Sequence, residues 1–279
     1  MQKFIVATLL FAAVQPAAAD ESYDVGNLHL IIMRQHSDVQ GHPSTSISVP
    51  AGFRVIGGGA QVNCPGVGNH LTGIYPSSTT SYTASSTDHL TVSPASIDAY
   101  VIAARMKDGS PISDDDYILV QKDSSPGAHP EAAATVPTGF QLVGGGARVS
   151  WSVPGNMLTA SFPQGNSWIA RSSDHLRSSV ATISVFAIGI KKSFLEANGV
   201  RIQQRAQPSD GYKQYPTATC ALDFGFRLLS GGAEAQWSGV GQLLTASYPI
   251  DVHQWRASSK DHLIVDYRSV TAYCIGISF

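Results

Sequence analysis

The sequence predicts an all-β protein made of three tandem Greek-key-like units set around a pseudo-threefold axis. Three observations carry this prediction. A long pattern recurs twice at almost constant spacing, short stretches alternate apolar and polar residues with no long helical stripe, and clusters of Gly, Pro, Ser and Thr separate those stretches. With 26 Gly, 15 Pro and only 14% charged residues, the composition suits a turn-rich β protein.

The first residues read as an export signal: Lys3, an apolar run from Phe4 to Val14, then small residues before Asp20. Residues 1–19 are therefore expected to be removed, leaving a secreted or periplasmic chain. No later stretch reaches the roughly 20 apolar residues that a membrane helix needs, so no membrane span is expected. Without Lys3 the charge is −3 with His neutral, which provides no basic field for nucleic acid.

The units fall at about 20–108, 109–193 and 194–279, in one domain of three repeats. "AGFRVIGGGAQV" from Ala51, "TGFQLVGGGARV" from Thr138 and "FGFRLLSGGAEA" from Phe224 open matched segments, with Gly52, Gly139 and Gly225 spaced 87 and 86 residues apart. "NHLTGIYP", "NMLTASFP" and "QLLTASYP" follow; then come "SYTASSTDHL", "SWIARSSDHL" and "QWRASSKDHL", and last "IDAYVIAARM", "ISVFAIGIKK" and "VTAYCIGISF". Ten residues before each marker glycine stand His42-Pro43, His129-Pro130 and Tyr215-Pro216. About five strands are expected per unit. Glycines inside a strand weaken it, so "GGG" predicts a bulge or a close crossing of backbones. A unit of this size alone leaves one sheet face bare, and three units sharing an axis bury those faces together.

Three such units, each ending in a strand like "TAYCIGI", resemble the β-prism of vitelline membrane outer layer protein I and, more loosely, the β-prism lectins. The glycine, "SYP…W" and "AYxI" segments also look like a type of repeat found in secreted bacterial proteins. The resemblance implies a pseudo-threefold β-prism and brings no catalytic signature with it.

Cys220 and Cys274 occur together in the third unit, where the other units have Ile47, Ala134, Val101 and Ala187. Joint appearance predicts a disulfide, which the export compartment permits; two buried thiols are the alternative. Cys64 matches Trp151 and Trp237 and is expected to be a free thiol. The two tryptophans are read as packing residues, and His36 and His70, which lack counterparts, as surface residues.

The Asp-His pairs Asp88-His89, Asp174-His175 and Asp261-His262 each follow an aromatic residue, the Asp six positions after Tyr82, Trp168 or Trp255. A capped turn copied with its unit explains the Asp, since aspartates accept hydrogen bonds from turn amides. The His needs a further reason. Carbohydrate binding is the leading one: a sugar presents hydroxyls to Asp, His and Ser and an apolar face to Tyr82, Trp168 or Trp255, and three equal sites give avidity. A polysaccharide lyase or hydrolase is the alternative, drawing acid-base groups from His42, His129, Tyr215, Lys260, Asp261 and His262. A structural repeat protein without ligand is the third. His89, His175 and His262 could also meet on the axis around zinc or copper, but no strong metal-binding spacing is present and no cofactor is expected.

Overall fold

The computed structural model describes residues 21–66, 68–237 and 241–279. The leader reading for residues 1–19 lies outside the described residues. The first unit folds as β1 (Glu21–Val25), β2 (Leu28–His36), β3 (Ser44–Ser48), β4 (Arg54–Asn63), β5 (Asn69–Ser78), β6 (Ser81–Asp88) and β7 (Ser96–Met106). The second follows as β8 (Tyr117–Asp123), β9 (Glu131–Thr135), β10 (Phe140–Trp151), β11 (Asn156–Gln164), β12 (Ser167–Asp174) and β13 (Ala181–Lys191). A six-residue helix, α1 (Lys192–Ala197), leads on to β14 (Arg201–Pro208), β15 (Thr217–Ala221), β16 (Arg227–Ala235), β17 (Leu243–Pro249), β18 (Gln254–Lys260) and β19 (Val270–Ser278). Each unit thus holds six or seven strands where the sequence predicts about five. The additional ones include the five-residue edge strands β3, β9 and β15, too short to show a clear alternation.

The fold is all-β, in three antiparallel sheets ordered β1-β2-β7-β4-β17-β18-β15, β3-β6-β5-β10-β13-β8 and β14-β19-β16-β11-β12-β9. Each sheet takes strands from two units. The seams between units are short, with Ala147 opposite Ile74, Ala160 opposite Glu234, and Ala246 opposite Gln61. Every unit divides its strands between two sheets, and buried residues of all three join in one core. Ile56, Leu71, Leu142, Leu158, Leu228 and Leu244 are all fully buried in the shared core.

The glycine segments do what close packing demands. Register shifts mark bulges at Val55/Gly57, Leu142/Gly144 and Leu228/Ser230. A Cβ on Gly145 would lie 2.5 Å from the Trp168 ring, so the strand can pass beneath that ring only as glycine. The marker glycine serves a turn instead. Gly52 at φ 84° sits third in a turn closed by the Phe53 amide donating to the Pro50 carbonyl at 3.1 Å, and a positive φ there favours glycine.

Cys220 on β15 and Cys274 on β19 form a disulfide, their Cα atoms 5.9 Å apart, which ties two sheets together. Cys64 is a free thiol.

Candidate functional site

The three Asp-His turns meet. His89 Nε2 donates to the His175 carbonyl at 2.5 Å, His175 Nε2 to the His262 carbonyl at 2.6 Å, and His262 Nε2 to the His89 carbonyl at 2.7 Å. The cycle closes on itself. A carbonyl can only accept, so each Nε2 carries the proton. After each His the chain makes a tight turn through Leu90, Leu176 or Leu263 at φ 58°, 58° and 63°. The Thr91 amide donates back to the His89 carbonyl at 2.6 Å, and the Ile264 amide to the His262 carbonyl at 2.7 Å. Each aspartate caps the loop that follows: Asp88 accepts from the Ser93 amide, Asp174 from Ser179 and Asp261 from Asp266, at 3.3, 3.2 and 3.1 Å.

These positions correct the expected ligand face of His89, His175 and His262. All three imidazoles are buried, because each is consumed in holding the next turn. Their convergence does not make a metal centre as they stand: every Nε2 is spent on a carbonyl, and among the described residues no group of three or more His, Cys, Asp or Glu is placed to hold a metal ion. His70 is also misplaced by the sequence. It is fully buried, its ring edge-on to His262 at 5.0 Å between centroids, and neither ring nitrogen has a hydrogen-bond partner among the described residues. Burial pushes its pKa well below the ordinary imidazole value. His36 is an exposed residue that pairs with Asp98 at 2.7 Å.

Tyr82, Trp168 and Trp255, expected to offer a ring to a ligand, are buried in the core over the glycine strands. Their polar atoms are satisfied internally: the Tyr82 hydroxyl donates to the Gly58 carbonyl at 2.9 Å, and the indole N–H groups of Trp168 and Trp255 to Ser161 and Ser247 at 2.9 and 3.0 Å. No face of these rings is left for a sugar.

Trp151 and Trp237, which the sequence assigns to packing, each line a cleft, and Trp151 also packs against the core. Trp237 of the third unit stands 4.9 Å from His129 of the second, ring centre to ring centre, in a cleft of about 320 Å³ that also holds Ser172, Ser173, Arg171 and Glu131. Trp151 of the second unit faces His42 of the first across a cleft of about 360 Å³ with Thr87, Ser85 and Arg148. The clue in the sequence is that both tryptophans share one position in the repeat. What hides their role is that each completes the cleft of the preceding unit.

In both clefts the His-Pro imidazole reaches the Asp-His turn of its own unit. His42 Nδ1 lies 2.5 Å from the Thr87 hydroxyl and 3.6 Å from Asp88; His129 Nδ1 lies 3.0 Å from the Ser173 hydroxyl and 3.6 Å from Asp174. Both imidazoles are more than half exposed. Hydroxyl and carboxylate approach the same nitrogen, whereas a nucleophile relay needs them on opposite nitrogens.

The third unit departs from the plan. Tyr215 is exposed and shares a shallow cleft with Asp261, Leu263, Ile264 and Val265, while Lys260 crosses to the first unit and donates to the Gly66 carbonyl at 3.3 Å. Burial lowers the Lys260 pKa, opposed by the nearby Cys64 and Asp261. His262 lies in the buried ring of imidazoles, so Tyr215, Lys260, Asp261 and His262 do not form one acid-base centre.

No known family model matches the chain, and no curated protein matches it in sequence.

The chemistry of the clefts follows from their own groups. In the more highly charged one, Arg171 pairs with Glu131 at 3.1 Å and Glu234 at 2.7 Å. Burial works against the Arg171 charge, and the two carboxylates more than offset it, raising its pKa. Burial, then the hydrogen bond to Glu234, raises the Tyr273 phenol. The result is a fixed polar wall beside an aromatic ring, suited to hydroxyl-rich ligands.

Proposed function

We propose that the chain is an exported carbohydrate-binding protein whose units close into a pseudo-threefold β-prism of Greek-key-like repeats and whose ligand sites are the clefts between units. The observation that carries this reading is the half-exposed Trp237 beside His129, above Ser172, Ser173 and the Arg171 pair. An indole face packs against the C–H face of a sugar ring, and the hydroxyls and charged groups around it fix the orientation. The related cleft at His42 and Trp151 supports a second site, and two sites on one rigid body favour repeating glycans through avidity. The disulfide fits an oxidising compartment, and no described helix is long and apolar enough to cross a membrane.

A glycan array tests it. Trp151→Ala and Trp237→Ala should each weaken binding to the recognised glycan, and the pair should abolish it; wild-type signal in the double variant defeats the reading.

One observation favours an enzyme as the second reading. In His42 and His129, Nδ1 is held by the turn, and Nε2 makes no hydrogen bond with the described residues, the arrangement of an oriented general base. Turnover of a polysaccharide that disappears in His42→Ala with His129→Ala, while the glycan still binds, would favour a lyase or hydrolase over a lectin.

A further inference from the structure

The two clefts share a plan and differ in charge. Beside Trp237, Arg171 is enclosed by Glu131 and Glu234, and Glu234 also accepts from the Tyr273 hydroxyl at 2.7 Å. The matched positions beside Trp151 are Ser85 for Arg171, Ser44 for Glu131 and Arg148 for Glu234. The acids are gone and a cation stands in place of one of them.

Arg148 has no ion-pair partner among the described residues. Its guanidinium carbon lies 5.3 Å from the centre of the Tyr75 ring, and Tyr75 stacks on Phe186 at 5.4 Å. Its Nε is buried and makes no hydrogen bond with the described residues. Two carboxylates are in the neighbourhood, and both are engaged elsewhere. Asp88 faces His42 and the Ser93 amide, and Asp123 hydrogen-bonds Gln121 at 3.1 Å and feels Arg148 only through space. Neither lines the cleft. A guanidinium held against a ring keeps its N–H edge for a planar anion, and a carboxylate accepts two parallel bonds from that edge.

We propose that the cleft of His42, Arg148 and Trp151 takes the carboxylate of an acidic sugar, a uronate within a glycan chain, while the cleft at Trp237 does not. Arg148 receives the carboxylate, Trp151 the ring face, and the hydroxyls of Ser85 and Thr87 lie within the same cleft. This rests on the glycan reading and adds the class of sugar to one of its sites.

The experiment is a titration of the whole protein with a glucuronate-containing oligosaccharide and a neutral glucose oligosaccharide of equal length, followed by the indole resonances of Trp151 and Trp237. The acidic oligosaccharide should bind about tenfold more tightly, through Trp151, with a preference that shrinks as salt rises. Arg148→Gln should remove the preference and Trp237→Ala should leave it. Arg148→Lys, which keeps stem and charge, should retain part of it and serves if the glutamine variant does not fold. Equal affinity for both oligosaccharides, or an undiminished preference in the Arg148 variants, overturns the uronate site. If the wild type binds neither oligosaccharide, the glycan reading falls and the uronate site with it. Acetate then reports on the remaining cation: a Trp151 shift lost in Arg148→Gln identifies a simple anion site, distinct from the failed sugar site.

Discussion

His175 Nε2 donates to the His262 carbonyl at 2.6 Å, joining residues 87 positions apart, and two further bonds of the same kind close the ring. Each imidazole therefore donates to a carbonyl in the next unit, and removing His175 leaves the His262 carbonyl with only the amide of its own turn. His175→Ala should cost about 1–2 kcal/mol. At roughly 2–4 °C per kcal/mol for a chain of this size, the melting temperature should fall by several degrees. His89→Ala and His262→Ala should behave alike, and a shift within error for all three would show that the ring carries no stability.

Acid should loosen the same region. Burial holds the pKa of His70 and of His89 below the ordinary imidazole value. The unfolded chain therefore takes up protons from about pH 6.5 downward while the folded chain resists them. Their contribution is complete above that pH and is lost as the pH falls below it. His70→Met, which copies Met157 of the second unit, should flatten the acid limb of a melting-temperature profile and raise stability at neutral pH. An unchanged acid limb in this variant would remove His70 as its cause.

The two kinds of tryptophan should separate cleanly. Trp168→Ala empties a fully buried site and should cost about 3–5 kcal/mol. Trp237→Ala, at a half-exposed position, should leave the melting temperature nearly unchanged and reduce glycan binding. Chemical denaturation and a binding titration on both variants check this; reversed outcomes would return the ligand to the Asp-His aromatic positions.

Reduction of Cys220–Cys274, separated by 54 residues, should destabilise by about 4 kcal/mol through the freed unfolded chain. Thiol titration of the unfolded, unreduced protein should find Cys64 alone. A count of three thiols would contradict the bond.

Leu176 holds a left-handed backbone at φ 58°, a conformation that costs a side chain about 1–2 kcal/mol. Asparagine tolerates this region better. Leu176→Asn should therefore raise the melting temperature by a few degrees, and a fall would mean that the half-exposed leucine contributes packing that outweighs the backbone strain.

Several of these features were legible in the chain. The strand class follows from alternation and turn residues, and the disulfide from the paired appearance of two cysteines in one unit. The glycine segment follows from the cost of glycine in a strand, which implied something pressing on the backbone; the rings of Tyr82, Trp168 and Trp255 are that something. Their burial was not legible, because a buried and a ligand-facing aromatic read alike in a single strand.

What the sequence by itself determined is therefore local and periodic: strands, turns, bulges and the positions that must be small. Only the tertiary structure decided which faces meet. Each unit shares its strands between two sheets, so Trp237 lies by His129, Arg148 borders His42's cleft, and Lys260 reaches Gly66. The three histidines likewise face one another, not solvent. Alternation along a strand tells which residues share a side, but the partner across a seam comes from another unit, and that pairing is fixed by the common burial of all three.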